Sequence, residues 1–288
     1  MSKKKFMIIR SRNYGLFSNF LHTLQYLYLS EVENRMPIVD WDIVWYSKKG
    51  GYNGSTNVWE YYFEPVSSYT LKDVDKENHD IKEVKKYIKG RKLHTEPEGC
   101  WDYQTFPPEI CLSNPSQNGR NFMYSLVSQY VKIKQPIQNK IDSFYNANMK
   151  DSKVVGVHLR ACRDNIGGHR DLPLDKYMSS VDEYLSNNSE SKIFIATDYK
   201  PFLDLFIKKY KGRIIYYNSQ RSTNGFSPTC GFKRNVPKNT GGARVGEEVL
   251  IACSLLSKCD HVLHSSSNVA SACLCFNPNF SHKYFQHE

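Results

Sequence analysis

The sequence predicts an α/β protein built in two halves, each a parallel sheet with helices packed on it. Three observations carry this. An apolar run, a helical run and a second apolar run fill the first 41 residues, the strand–helix–strand unit of a parallel sheet. The same alternation restarts near residue 150 and continues to the C-terminal end. A chain of 288 residues also suits two packed cores better than one.

Lys5 to Ile9 reads as the first strand. The segment from Asn13 to Asn19 reads as a turn, and Phe20 to Val32 as a helix in which Leu21, Leu24, Tyr28 and Val32 recur at helical spacing. Pro37 to Trp41 is a second strand. Residues 46–118 lose this regularity: Gly50-Gly51, a charged stretch from Lys72 to Arg91 and Pro107-Pro108 predict an irregular insert with one or two short helices. Its aromatic group, Trp59, Tyr61, Tyr62 and Phe63, is expected in the core rather than as a platform for a sugar. Phe122 to Tyr145 reads as helix in two pieces, broken near Pro136.

In the second half, strands are expected at 153–159, 192–196, 213–217 and 260–264. Helices are expected at 175–185, 201–210, 246–256 and 268–275, with a long Gly/Asn/Pro/Arg-rich loop from Asn218 to Gly242. The boundary is placed at 150, giving domains 1–150 and 151–288. Two Rossmann-like domains facing a cleft are the economical architecture.

Composition narrows the function classes. Hydrophobic residues make up 40% and aromatic ones 14%, enough for a packed core. No run reaches the roughly 18 apolar residues of a membrane span. The N-terminal segment has too short an apolar run for a signal peptide, so a cytoplasmic protein of a bacterial or viral pathway is expected. The net charge of +10 implies an anionic partner. Lys and Arg are scattered and no nucleic-acid-binding motif occurs, so a phosphate-bearing small ligand is the expected partner rather than nucleic acid. Eight cysteines contain no C-x2-C pair, and Cys253, Cys259, Cys273 and Cys275 lie in apolar runs. They read as buried reduced thiols, not as a metal site.

Ligands of an open parallel sheet sit beyond the C-terminal ends of its strands. Those ends select His158 and Arg160, then Thr197 and Asp198, then His264 with Ser265, Ser266, Ser267 and Asn268 at a helix start. A helix N-terminus offers N–H groups to phosphate, and arginine offers a bidentate cation. After the first strand, Gly15, Ser18 and Asn19 form a turn of small and polar residues, so the set fits a diphosphate held between the domains.

Val155-Gly156-Val157-His158-Leu159-Arg160, Pro173-Leu174-Asp175-Lys176-Tyr177, Phe194-Ile195-Ala196-Thr197-Asp198 and Leu255-Leu256-Ser257 through Asp260 and Ser267 resemble the α1,6-fucosyltransferase and protein O-fucosyltransferase superfamily. The resemblance covers most of residues 154–275, and the turn at Gly15–Asn19 resembles the family's first loop more weakly. It implies a GT-B-type, metal-independent, inverting transferase that takes GDP-fucose as donor and a glycan hydroxyl as acceptor, with no cofactor. It also implies that Arg160 contacts the leaving diphosphate, His158 lines that pocket, Ser267 binds phosphate and Asp198 lies near the nucleotide.

The chain departs from the family at three places. Ala161-Cys162-Arg163-Asp164 follows the first arginine, and Ala252 stands where the family reads guanine. Glu248, one turn earlier, is the candidate substitute. Gly168 stands where the core-fucosylating members place a catalytic glutamate, leaving Asp164, His169 and Asp171 as candidate bases for the acceptor hydroxyl. Asp40-Trp41-Asp42 has the D-x-D form of a metal-bound donor site and reads here as the end of the second strand. The alternatives are the same fold with another donor, such as a UDP-linked pentose, or a non-catalytic carbohydrate- or nucleotide-binding module.

Overall fold

The computed structural model describes residues 3–12, 14–43, 45–84, 114–162, 171–225 and 241–286. Its contacts divide the chain into two compact units, Met1–Lys134 with Lys238–Ala243, and Gln135–Pro237 with Arg244–Glu288.

The first unit holds β1 (Lys5–Arg10), α1 (Leu16–Val32), β2 (Met36–Asp40), β3 (Asp80–Val84) and α2 (Gln117–Tyr130). The strands are parallel in the order β2-β1-β3, with Phe6 opposite both Met36 and Ile81. Phe6, Met7 and Ile9 of the central strand are fully buried, as expected where both faces of a parallel strand are covered. Arg10 closes the C-terminal edge: its guanidinium pairs with Asp40 of β2, and its Nε donates to Glu83 of β3 at 2.8 Å. Asp42 accepts from the Ser11 hydroxyl at 2.7 Å. Both carboxylates of the D-x-D thus have partners within the unit.

Two features differ from the sequence reading. The helix starts at Leu16 rather than Phe20, because Asn19 folds its side chain back onto the entry. Asn19 Oδ1 accepts from the Arg12 amide at 2.6 Å, and its Nδ2 donates to the carbonyls of Tyr14 and Gly15 at 2.9 and 3.1 Å. The second difference is β3, which lies within the stretch read as charged and irregular. Its charges are paired: Glu83 meets Arg10, Asp80 meets Arg35 and Lys82 meets Glu33. The aromatic group is core, as expected, with Trp59, Tyr62 and Phe63 fully buried and the Trp59 and Phe63 rings 4.5 Å apart.

The second unit runs α3 (Gln135–Asn148), β4 (Val154–Leu159), α4 (Leu174–Asn187), β5 (Lys192–Thr197), α5 (Lys200–Lys209), β6 (Ile214–Ile215), α6 (Gly242–Leu256), β7 (His261–Ser265), α7 (Asn268–Phe276) and β8 (Ser281–Phe285). All five strands are parallel, in the order β6-β5-β4-β7-β8. The units divide at 134/135, ahead of the position read from the sequence at 150, because α3 packs on the second sheet. Its Phe144 ring meets Phe194 and Tyr217 at 6.0 and 5.6 Å, and its Asn148 carbonyl accepts from Lys192 at 2.9 Å. The two helical pieces expected near Pro136 are α2 and α3, with the break at 131–134; Pro136 itself lies inside the second piece. It sits in the first turn of α3, where a missing N–H costs no helical bond.

One face of β4 (Val155, Val157, Leu159) packs with Tyr177, Val181, Ile193, Ile195 and Phe206, all fully buried. On the other face Gly156 lets the end of α6 come close: a Cβ there would lie 3.0 Å from both Cys259 Sγ and Leu256 Cδ2. Cys253, Cys259, Cys273 and Cys275 are free and buried, and burial pushes each thiol pKa up, that of Cys275 to about 12. Among the described residues, no helix is long and apolar enough to cross a membrane.

Two histidines belong to this core. His158 of β4 and His264 of β7 lie one residue beyond the paired Val157 and Leu263. Burial, and secondarily Arg160, lowers the His158 pKa to about 3. His264 is also lowered to about 3, by burial first and then by His282 and His158. Both rings are therefore neutral at neutral pH.

Gly156→Val should destabilise the protein by about 1–3 kcal/mol through overpacking against Cys259 and Leu256, measured by denaturant unfolding. Adding Cys259→Ala should recover part of that loss. The histidines set a pH dependence. Their folded pKa values lie below the unfolded value, so the stabilisation is complete above about pH 6.5 and is lost as pH falls toward 3. Replacing His264 by Asn should flatten the unfolding free energy between pH 6.5 and 4, by up to about 1.4 kcal/mol per pH unit. An unchanged slope would contradict the burial of a neutral ring.

Candidate functional site

The order β6-β5-β4-β7-β8 reverses direction at β4. Chain connections run from β4 toward β5 and β6 on one side and reach β7 and β8 on the other. The ends of β4 and β7 therefore flank the switch point, where an open parallel sheet holds its ligands. The residues delivered there are His158 and Arg160 from β4, and His264, Ser265, Ser266 and Ser267 from β7 and the start of α7.

Arg160 follows β4 with about a fifth of its side chain exposed, and its guanidinium forms an ion pair with Asp198. Asp198 follows β5, and its other carboxylate oxygen accepts from the amides of Ala161 and Cys162 at 2.9 and 3.1 Å. The Asp198 carbonyl accepts from the Ser222 amide at 2.8 Å and lies 3.3 Å from Cys162 Sγ. Asp198 thus caps the chain after β4, not the start of α5, whose N-cap is Tyr199.

In β4, the His158 Nδ1 is buried with no hydrogen-bond partner among the described residues, and His264 Nε2 of β7 lies 3.0 Å from His282 Nδ1. Ser265 is fully buried at the end of β7. Ser267 is the N-cap of α7, accepting from the Val269 amide at 3.2 Å, and Asn268 is the exposed first residue of that helix. With Ser267 as its cap and no acidic residue in its first turn, α7 presents a helix N-terminus beside Arg160's strand, and such an end favours an anion.

Glu248, the candidate substitute for the guanine reader, is buried, and its carboxylate accepts from the Gln220 amide at 2.7 Å and from Arg244 Nε at 2.9 Å. Its work in this unit is to fasten the loop after β6 to α6. Asp171 is exposed on the approach to α4, and Asp164 and His169 lie outside the described residues.

In the first unit, Gly15 is the N-cap of α1, while Ser18 and Asn19 stand in its first turn rather than in a loop. Asn19 is committed to the helix entry. Ser18 offers its carbonyl to Arg12 at 3.0 Å, and Arg12 is itself buried. Arg12, Cys162, Gln220 and Ser222 escaped the sequence reading. Arg12 could have been found as a cation two residues past the first strand. The others act through backbone amides or a thiol, which leave no pattern in the sequence.

No family model and no curated protein matches the chain. Solved structures do. The fucosyltransferase NodZ from Bradyrhizobium matches with a TM-score of 0.56 at 16% identity, covering 96% of this chain and 95% of that one. Arabidopsis thaliana FUT1, as a variant in complex with GDP, matches at 0.54 with 10% identity over 100% of this chain and 72% of that one. POFUT1 in complex with GDP-fucose matches at 0.50 with 10% identity over 99% and 98%. At these identities the likeness is one of fold: the two parallel sheets match the two Rossmann-like domains of the GT-B fold, along nearly the whole chain.

Proposed function

We propose that this chain is an inverting glycosyltransferase that needs no metal, and that it moves fucose from GDP-fucose onto a glycan hydroxyl. The observation that carries the reading is Arg160, a cation that follows β4 at the topological switch point, where the neighbouring strand β7 leads into the N-terminus of α7. Structural relatives bind GDP and GDP-fucose, which supports a guanine nucleotide as donor.

When the sugar–phosphate bond breaks, negative charge develops on the departing diphosphate. Arg160 offsets it, and the N–H groups at the start of α7, with Ser265, Ser266, Ser267 and Asn268, cradle the phosphates. His158 stays neutral beside Arg160, so its ring lines the pocket as a hydrogen-bonding group rather than a second cation. The acceptor hydroxyl loses its proton to a base among Asp164, His169 and Asp171.

A second reading changes the donor. Ala252 stands at the guanine-reading position, and the Glu248 carboxylate is engaged by Gln220 and Arg244. Guanine would then lack an acidic reader, and a UDP-linked pentose becomes the competing donor.

Thermal shift with GDP, UDP and CDP, with and without chelator, separates the readings. Stabilisation by GDP that survives chelation is expected; stabilisation by UDP alone would replace fucose, and loss on chelation would refute the metal-free reading. Arg160→Ala should fold normally and release GDP from GDP-fucose slower by on the order of 10²–10³-fold. A non-catalytic binding module would instead show no turnover in the parent protein.

A further inference from the structure

We infer that Asp198 serves the transfer as a positioning residue, acting through Arg160 rather than touching the donor; this rests on the reading of Arg160 above. The geometry of the carboxylate carries it. One oxygen takes the Arg160 guanidinium, and the other takes two successive amides, Ala161 and Cys162. Both oxygens are thus turned to the chain that leaves β4. A carboxylate facing a diphosphate would also repel it, so a direct phosphate contact runs against charge.

The acid is itself fixed. Its carbonyl accepts from Ser222, the Tyr199 amide on its far side donates to Thr197 Oγ1 at 3.2 Å, and the Lys200 amide donates to the Ser222 carbonyl at 2.8 Å. Three segments, after β4, after β5 and after β6, are therefore fastened at one residue. Arginine is a long side chain with many rotamers, and a phosphate clamp works only if the guanidinium is already aimed. Asp198 supplies the aim in two ways: it sets the backbone from which Arg160 projects, and it holds one edge of the fork.

The two roles separate in Asp198→Asn, which keeps an oxygen for the two amides and loses the charge that holds the guanidinium. The readout is release of GDP from GDP-fucose with water as acceptor, alongside the melting temperature. Asp198→Asn should melt within a few degrees of the parent and lose about 10–100-fold in kcat, with the donor KM changed less than kcat. In an Arg160→Ala background the same substitution should cost nothing further, because what it positions is gone. Should Asp198→Asn fold poorly, Asp198→Glu keeps the charge on a longer arm and should lower kcat in the folded protein.

An unchanged kcat in the folded Asn or Glu variant overturns the inference. So does an equal loss in the Arg160→Ala background, which would make Asp198 a donor ligand in its own right. So does a loss explained entirely by the unfolded fraction. If Arg160→Ala itself releases GDP at the parental rate, the reading of Arg160 fails and this one with it. A normal Arg160→Ala loss with an unimpaired Asp198→Asn removes only the positioning role.

Discussion

β4 is the constraint on which the second unit depends. All six of its residues are buried, it is paired in parallel on both sides, and helices cover both its faces. A strand in that position must be apolar along its length and must admit close packing, which explains both the Val-Val-Gly-Val run and the glycine in its middle. It also fixes where the chain emerges. Residues 160–162 leave the sheet between the ends of β5 and β7, so their neighbours are Asp198 on one flank and Ser265–Ser267 on the other. The site follows from the strand order before any individual contact is considered.

Burial then sorts the charges near that exit. A histidine inside the sheet cannot keep a proton at neutral pH, so His158 and His264 contribute no cation. The cation of the site is Arg160, one residue past the strand and partly exposed. The edge of the first sheet follows a different rule. Arg10 there is shared between Asp40 and Glu83, which ties three strand ends together. The net charge of +10 does not by itself mark the site, because Arg10 and Arg160 each stand against a carboxylate.

What was legible in the sequence follows the same physics. Val154–Leu159 and Lys192–Thr197 are central strands buried on both faces, so they appear as mainly apolar runs, interrupted in the first only by His158. β3 and β8 are edge strands, Asp-Ile-Lys-Glu-Val and Ser-His-Lys-Tyr-Phe, whose mixed polarity hides them in a linear reading. The start of α1 was hidden for another reason. Asn19 reads as a turn former, yet it stands in the helix and bonds back to Arg12 and Tyr14. Arg160 and Asp198 were found because the strand-end rule needs only the strands. Their bond to each other, and the use of Asp198 to cap Ala161 and Cys162, depend on the separation of two strand exits that no spacing in the sequence records. Glu248 shows the cost of this. It is buried, and its carboxylate accepts from the Gln220 amide of the loop after β6, a contact that no spacing in the sequence records.

The Arg160–Asp198 pair also bears on how a diphosphate could be held without a metal. A fully buried ion pair would incur a large desolvation cost and resist any third charge. This pair retains about a fifth of its exposure on each side, so water still solvates it and the penalty is moderate. The carboxylate has its second oxygen on two backbone amides, and those partial positive charges offset part of its field. The guanidinium is consequently steered without being fully neutralised. An arginine left unpaired would carry more attraction but less direction, and a rate that depends on charge developing at one oxygen is more sensitive to direction.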